Sequence, residues 1–226
     1  LAKAKNGPRV PLPLGVSSEP NPQFLLMEYI EQSSLKSGFP TRFARALAEM
    51  HRETQEQYGL DHDNFIGSTV QINSMEFDGV IFFREHRIRF QQELARKTRS
   101  LPKDVDRRLD MFCKKLETLL DFKNEKPALL HGDLWSGNYF PSHDQVPCIF
   151  DPAVYFGPRE ADLAMTSLFG GFSNTFYSAY KSTYPMAPGY AEREPLYQLY
   201  HLLNHLNLFG TGYYGQVISI LRRYAS

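Results

Sequence analysis

Cysteine is scarce in this sequence. Cys113 and Cys148 are the only two in 226 residues. They are too few for a disulfide framework and show no metal-ligand spacing. A reducing compartment, the cytoplasm, fits that usage best. An excess of either charge is also missing, since Lys+Arg and Asp+Glu both number 25. That balance gives no reason to expect a nucleic-acid or anionic-membrane partner, and it still allows a small phosphorylated one. No apolar run approaches the roughly 18 residues of a membrane-spanning helix. The opening residues, Leu1-Ala2-Lys3-Ala4-Lys5, carry neither an apolar signal core nor an initiator Met. The chain is therefore expected to begin inside a larger protein. Internal repeats and low-complexity segments are absent too. What is present is apolar content: 42% of the residues are hydrophobic, enough to bury a core and to exclude a disordered chain.

Along the chain, Leu1 to Lys5 reads as the tail of a helix stopped by Asn6-Gly7-Pro8. Val10 to Val16 is punctuated by Pro and reads as extended. Gln23 to Ile30, "QFLLMEYI", is a short apolar run suited to a buried strand. The polar Glu31 to Ser34 then reads as a connector. From there the texture is helical. Thr41 to Gln57 sets Phe43, Leu47 and Met50 on one face. Phe77 to Leu94 and Asp104 to Leu120 are further helical stretches, parted by Leu101-Pro102. Ala128 to Asp151 breaks the pattern with an apolar run, a polar Gly-containing loop and a strand. Residues after Arg159 read as helix, interrupted at Pro185 and Pro188-Gly189. The outline is α+β, with residues 1–30 as a strand-containing remnant and 31–226 as a helix-rich domain.

The loop His131-Gly132-Asp133-Leu134-Trp135-Ser136-Gly137-Asn138, followed by Asp151, carries the chemistry. Phosphoryl transfer from a nucleotide needs an oriented acceptor hydroxyl, a group to take its proton, and metal ions on the phosphates. A loop Asp can accept the proton. An Asn five residues later and a carboxylate at a following strand end can supply hard oxygens to Mg²⁺. Asp133, Asn138 and Asp151 are such a set, and the Asp-to-Asn spacing matches the kinase catalytic loop. Asp133 and Asn138 alone could be turn residues. The strand context and Asp151 make the functional reading the better one.

Beyond this loop, "LLHGDLWSGN", "FDPAVYFGPREADLAM", "PLYQLYHLLNHLNLFG", "NFIGST" and "FFREHRIRFQQELA" resemble the fructosamine kinase (ketosamine 3-kinase) family over nearly the whole chain. That resemblance implies a protein-kinase-like fold, shared with aminoglycoside and choline kinases. It implies mostly the helical C-terminal lobe, with a remnant of the N-terminal β lobe. The implied activity is ATP-dependent phosphorylation of the sugar 3-hydroxyl of ketosamines. The 3-phosphate then eliminates and frees the amine, a deglycation repair. ATP and Mg²⁺ become the implied cofactors.

By position, the resemblance makes Asp133 the general base and Asn138 and Asp151 the Mg²⁺ ligands. Met27 becomes the gatekeeper, and the backbone of Glu28, Tyr29 and Ile30 meets adenine. Asp162, preceded by His131 as a second supporting residue, is expected to bond the backbone of the catalytic loop. It could equally be an acid favoured by a helix N-terminus. Trp135 could stack on the substrate or anchor the loop. His205 is expected to help wall the acceptor pocket. His201 and His205 have a metal-compatible i,i+4 spacing but no acidic third ligand nearby, so zinc is disfavoured. Tyr197 and Tyr200 read as core. Arg159 and Glu160 are left without a role.

A kinase of this class also needs a phosphate-covering loop, a strand Lys and a helix Glu. None is recognisable before Val10. About 60 residues of small lobe are expected to be absent, so this chain should bind ATP poorly. Rival readings are a kinase for an aminoglycoside, choline or another sugar, and an inactive kinase-like binding module. The segment "YQLYHLLNHLNLFG" holds no acid, which favours a neutral sugar adduct over a polycation.

Overall fold

Helices are the main regular elements of the protein, and short strands frame its polar loops. The computed structural model describes residues 1–18, 21–98, 101–120, 122 and 125–225. Two antiparallel strands, β1 (Pro13–Val16) and β2 (Leu25–Met27), come first. Helix α1 (Phe39–Met50) follows, then a tight hairpin of β3 (Asn64–Ile66) and β4 (Thr69–Gln71). Helix α2 (Gly79–Phe82) runs through a π-helical segment, Phe83–Arg89, into α3 (Phe90–Lys97). Next is α4 (Lys103–Leu119). Four strands follow: β5 (Ala128–Leu130), β6 (Tyr139–Pro141), β7 (Pro147–Ile149) and β8 (Tyr155–Gly157). The chain closes with α5 (Glu160–Leu168), α6 (Asn174–Thr183), α7 (Tyr190–Phe209), a 3₁₀ turn (Thr211–Tyr213) and α8 (Tyr214–Tyr224). This mixture of helix and strand is the α+β class.

Two apolar clusters hold the elements. One gathers Val105, Leu109, Phe112 and Leu116 of α4 with Leu196, Leu199 and Leu203 of α7 and Val217 and Leu221 of α8. The other packs Phe43, Leu47 and Met50 of α1 against Phe176 and Tyr180 of α6 and Leu163 of α5. Each such aliphatic side chain contributes about 1.5–3 kcal/mol by leaving water. Helix α5 lies between them and is buried from Glu160 through Thr166. Among the described residues no helix is long and apolar enough to cross a membrane.

Several expectations need correction. Leu1 to Lys5 forms turns rather than a helix end. So short a segment cannot repay helix nucleation, and Asn6 turns left-handed at φ 62°. The helix expected over 41–57 begins at Phe39 and stops at Met50. Beyond it the chain is captured by the edge of β5: Leu129 N–H donates to the Glu53 carbonyl at 2.8 Å and Gln55 N–H to the Pro127 carbonyl at 3.1 Å. The apolar run "QFLLMEYI" forms a strand only over Leu25–Met27, and it is exposed, with Leu26 at 55% and Tyr29 at 87%. Among the described residues its sheet partner is β1, also exposed, and neither face of the pair is covered. The stretch 77–94 starts at Gly79, because the Asp78 carboxylate caps the N–H groups of Val80 and Ile81.

The strand pairing positions the polar loops. β5 pairs with β8, and β6 pairs with β7. Segments 131–138 and 150–154 therefore both cross between the same two strand pairs and lie side by side. Phe150 N–H donates to the Asn138 carbonyl at 3.1 Å, and Ala153 N–H to the His131 carbonyl at 2.9 Å.

Candidate active site

Residues at the two crossings converge. Asn138 Nδ2 donates to the Asp133 carbonyl at 2.8 Å and lies 3.4 Å from both Asp133 Oδ2 and the Asp151 carbonyl. Asp151 has φ 53°, a left-handed conformation that non-glycine residues seldom adopt and that concentrates at functional positions. Gly132 has φ 83°, and a Cβ there would sit 1.9 Å from the Ala153 carbonyl oxygen. Only glycine lets the two loops approach this closely.

Beneath the loop lies a buried polar chain with one consistent direction. Asp162 accepts the backbone N–H of His131 at Oδ2 and that of Gly132 at Oδ1, both at 2.8 Å. Asp162 Oδ2 also accepts from His51 Nε2 at 3.1 Å, and His51 Nδ1 accepts from the Tyr180 hydroxyl at 2.7 Å. Arg159 Nη1 donates to the Tyr180 oxygen at 3.4 Å and its other nitrogens bind Glu125. Burial opposes charge on Asp162, but the hydrogen bonds from the His51 ring and the Gly132 N–H hold its carboxyl below the usual range. His131 donates from Nε2 to the Phe150 carbonyl at 2.9 Å and accepts the Asp133 N–H at Nδ1, 3.3 Å away. Its complete burial pushes its pKa down, so it stays neutral and ties both loops together.

Asp133 differs electrically from Asp162. Burial, followed by the nearby charges of Asp151 and Asp162, pushes its carboxyl up to about 7. Two carboxylates that repel one another beside an amide oxygen are deficient in positive charge. That donor set, all hard oxygens, fits a Mg²⁺ ion held by Asn138 and Asp151.

A cavity of about 350 Å³ opens over Asp133, Asn138 and Asp151, and Trp135 and His205 line it with them. Trp135 is 39% exposed. His205 packs its ring against Phe169, Phe209 and Tyr213 at centroid distances of 4.7, 5.4 and 5.0 Å. Its Nδ1 bonds the His201 carbonyl at 2.8 Å, which only accepts, so Nδ1 carries the proton and Nε2 is left as an acceptor. A second cavity, about 450 Å³, joins Met27, Glu28, Tyr29 and Ile30 to Ser136, Gly137 and Phe150 of the loops. The Glu28 side chain is tied to Arg9, and its N–H is spent on the Leu12 carbonyl at 2.8 Å. Arg159 and Glu160 take structural roles, with Glu125 and Arg193 as their respective partners.

Comparison with known proteins shows the family and the fold. The family model described as fructosamine kinase matches residues 1–226. The chain belongs to the fructosamine kinase family. A protein named ketoamine kinase from Enterococcus faecium is 41% identical over 211 residues, covering 93% of this chain and 74% of the relative. A chloroplastic protein-ribulosamine 3-kinase of Oryza sativa subsp. indica is 43% identical over 224 residues, covering 97% of this chain. The chain spans 64% of that rice relative's length. Among solved structures, a fructosamine-3-kinase of Thermobifida fusca superposes with a TM-score of 0.89 at 32% identity. The match covers 98% of this chain and 75% of that one. An ADP-bound aminoglycoside phosphotransferase, 16% identical with a TM-score of 0.62, shares the fold. The fold is therefore protein-kinase-like, and membership of this kinase family implies ATP as phosphoryl donor.

The fructosamine kinase site includes residues that linear spacing did not reveal. His51, at the end of α1, and Tyr180 of α6 support the loop through Asp162. Gln71 Nε2 donates to the Ala153 carbonyl at 3.0 Å and Asn64 Nδ2 to the Val154 carbonyl at 2.7 Å, so the β3–β4 hairpin holds the backbone after Asp151. Asn64 lies in the quoted "NFIGST", but nothing in that string says which backbone it binds.

Proposed function

We propose that the protein transfers the γ-phosphoryl group of ATP to the sugar 3-hydroxyl of a ketosamine, and that loss of the phosphate by elimination then frees the amine. The observation that carries this reading is the composition of the cavity above Asp133. Its acids, among the described residues, are Asp133 and Asp151 alone, and the rest of its wall is aromatic, aliphatic or amide. A polycationic acceptor would need more carboxylates there. A neutral sugar adduct does not.

In this mechanism Asp133 takes the proton of the attacking hydroxyl. A carboxyl raised to about 7 is matched to that work near neutral pH. Asn138 and Asp151 would hold Mg²⁺, which supplies positive charge to the phosphates. His131 and Asp162 keep the base in place by fixing the backbone on either side of Gly132. Trp135 and His205 form the acceptor wall, Met27 is the gatekeeper, and the backbone of Glu28 to Ile30 receives adenine. Residues 1–30 act as the hinge side and 31–226 as the catalytic lobe. A reducing, cytoplasmic setting suits the two unpaired cysteines, Cys113 and Cys148.

The test uses the purified protein with Mg-ATP and a panel of ribulosamine, fructosamine and aminoglycoside acceptors. Ketosamine-dependent ADP release, abolished by Asp133→Asn, is expected. Release with aminoglycosides but not ketosamines would replace the substrate assignment. Full activity of Asp133→Asn would remove the assignment of the base.

A further inference from the structure

Three side-chain amides run in series from α3 to the acceptor cavity. Asn207 Nδ2 donates to the backbone carbonyl of Gln91 at 3.0 Å and to Gln91 Oε1 at 2.8 Å. A backbone carbonyl can only accept, so the Asn207 amide has one permitted orientation. That orientation is kept although Asn207 Oδ1 is left buried without a partner. Gln91 must then present its oxygen to Asn207 and its nitrogen to the other side. There Gln91 Nε2 donates to Asn204 Oδ1 at 3.2 Å. Asn204 is in turn left with Nδ2 as its free end.

Asn204 lines the cavity that holds Asp133 and Asp151, and it is 2% exposed. Gln91 is fully buried behind it. Oδ1 is taken, Nδ2 has no partner among the described residues, and Nδ2 is not one of the sealed-off polar atoms. A polar side chain this deeply buried, with one end satisfied from behind and the other open to a cavity, is arranged to meet a ligand.

We infer that Asn204 donates a hydrogen bond from Nδ2 to an uncharged oxygen of the acceptor sugar, with Gln91 and Asn207 as the positioning residues that hold the amide in its donating orientation. This deepens, and rests on, the ketosamine reading above. An N–H at this point accepts company from a carbonyl or hydroxyl oxygen. It rejects an ammonium group, which has only hydrogens to offer. The amide series therefore helps exclude amine-rich acceptors from a cavity whose base and metal ligands are acidic. The neighbouring His205 offers the complementary acceptor at Nε2, so adjacent residues of α7 can read both sides of a hydroxyl.

The experiment measures steady-state kinetics of the protein with a ketosamine and with those of its monodeoxy analogues that keep the 3-hydroxyl. Asn204→Ala should lower kcat/KM for the ketosamine about tenfold while KM for ATP stays unchanged. One monodeoxy analogue should lose about tenfold with the wild type and nothing further with Asn204→Ala. Gln91→Glu has no donor for Asn204 and should reverse its amide, giving the same loss in kcat/KM with KM for ATP unchanged. Gln91→Met, which lacks the acceptor and donor alike, provides a variant without a buried acid. Turnover by the wild type with an unaltered Asn204→Ala would overturn the assignment alone. The assignment also falls if every monodeoxy analogue that keeps the 3-hydroxyl is as good a substrate as the parent, whichever variants fold. No ketosamine turnover by the wild type would overturn the substrate reading and this assignment together.

Discussion

Replacing Asp133, the proposed base, should stabilise the protein. The Asp133 carboxyl is raised from 3.8 to about 7, first by burial and then by the charge of Asp151. Below about pH 3.8 the folded and unfolded states both hold the proton, and no penalty exists. Between there and about 7 the unfolded chain releases its proton while the folded chain keeps it. Stability from this group is therefore lost as pH rises through that window, and the loss levels off above the folded value. At about 1.36 kcal/mol per pH unit the full penalty is about 4 kcal/mol, and relaxation around a partly solvated carboxylate reduces it to about 2–3 kcal/mol. Asp133→Asn removes the charge and keeps the shape. In metal-free buffer it should unfold about 5–10 °C above the wild type at pH 8, and the two should converge near pH 4. Mg²⁺ should shrink the gap by compensating the carboxylates. Calorimetric or circular-dichroism melting of both proteins across that pH range tests the argument. A variant that melts with or below the wild type at pH 8, or a gap independent of pH, would refute it.

Asp162→Ala should act in the opposite direction, because it strands the N–H groups of His131 and Gly132 and the His51 ring. The expected cost is about 3–5 kcal/mol by urea titration, with activity lost, and a change below about 1 kcal/mol would sink the role given to this carboxylate. The Asp162 carboxyl is depressed, so its contribution is present above the unfolded value and disappears as acid carries pH down through the folded one. Gly132→Ala should force the two loops apart, since its Cβ meets the Ala153 oxygen at 1.9 Å. A loss of at least about 2 kcal/mol together with most of the turnover is expected, and wild-type kinetics in a stable variant would contradict the close approach.

Asp133, Asn138 and Asp151 were legible in the linear string because one loop and the next strand end contain all three. Short-range spacing is enough to bring such groups together. The apolar faces of α1 and α4 were legible for a similar reason, since helical period alone aligns Leu47 with Phe43 and Leu109 with Val105. Where α1 stops was not, because Glu53 and Gln55 are drawn off by β5, a strand more than 70 residues later in the chain. The exposure of Leu25–Met27 was equally hidden. An apolar run states a preference for burial, and only the presence of a covering layer satisfies it.

The sequence by itself thus determined the chemistry on offer: a loop carboxylate and amide, a second carboxylate after the next strand, and a kinase-family lineage. Tertiary structure alone decided how those groups are tuned. His51, Tyr180 and Arg159 support the loop across more than a hundred residues in places, and Asn204 acquires its donating orientation from Gln91, 113 positions away. Hydrogen-bond direction and desolvation depend on which atoms finally touch. That is set by packing, which no local spacing encodes.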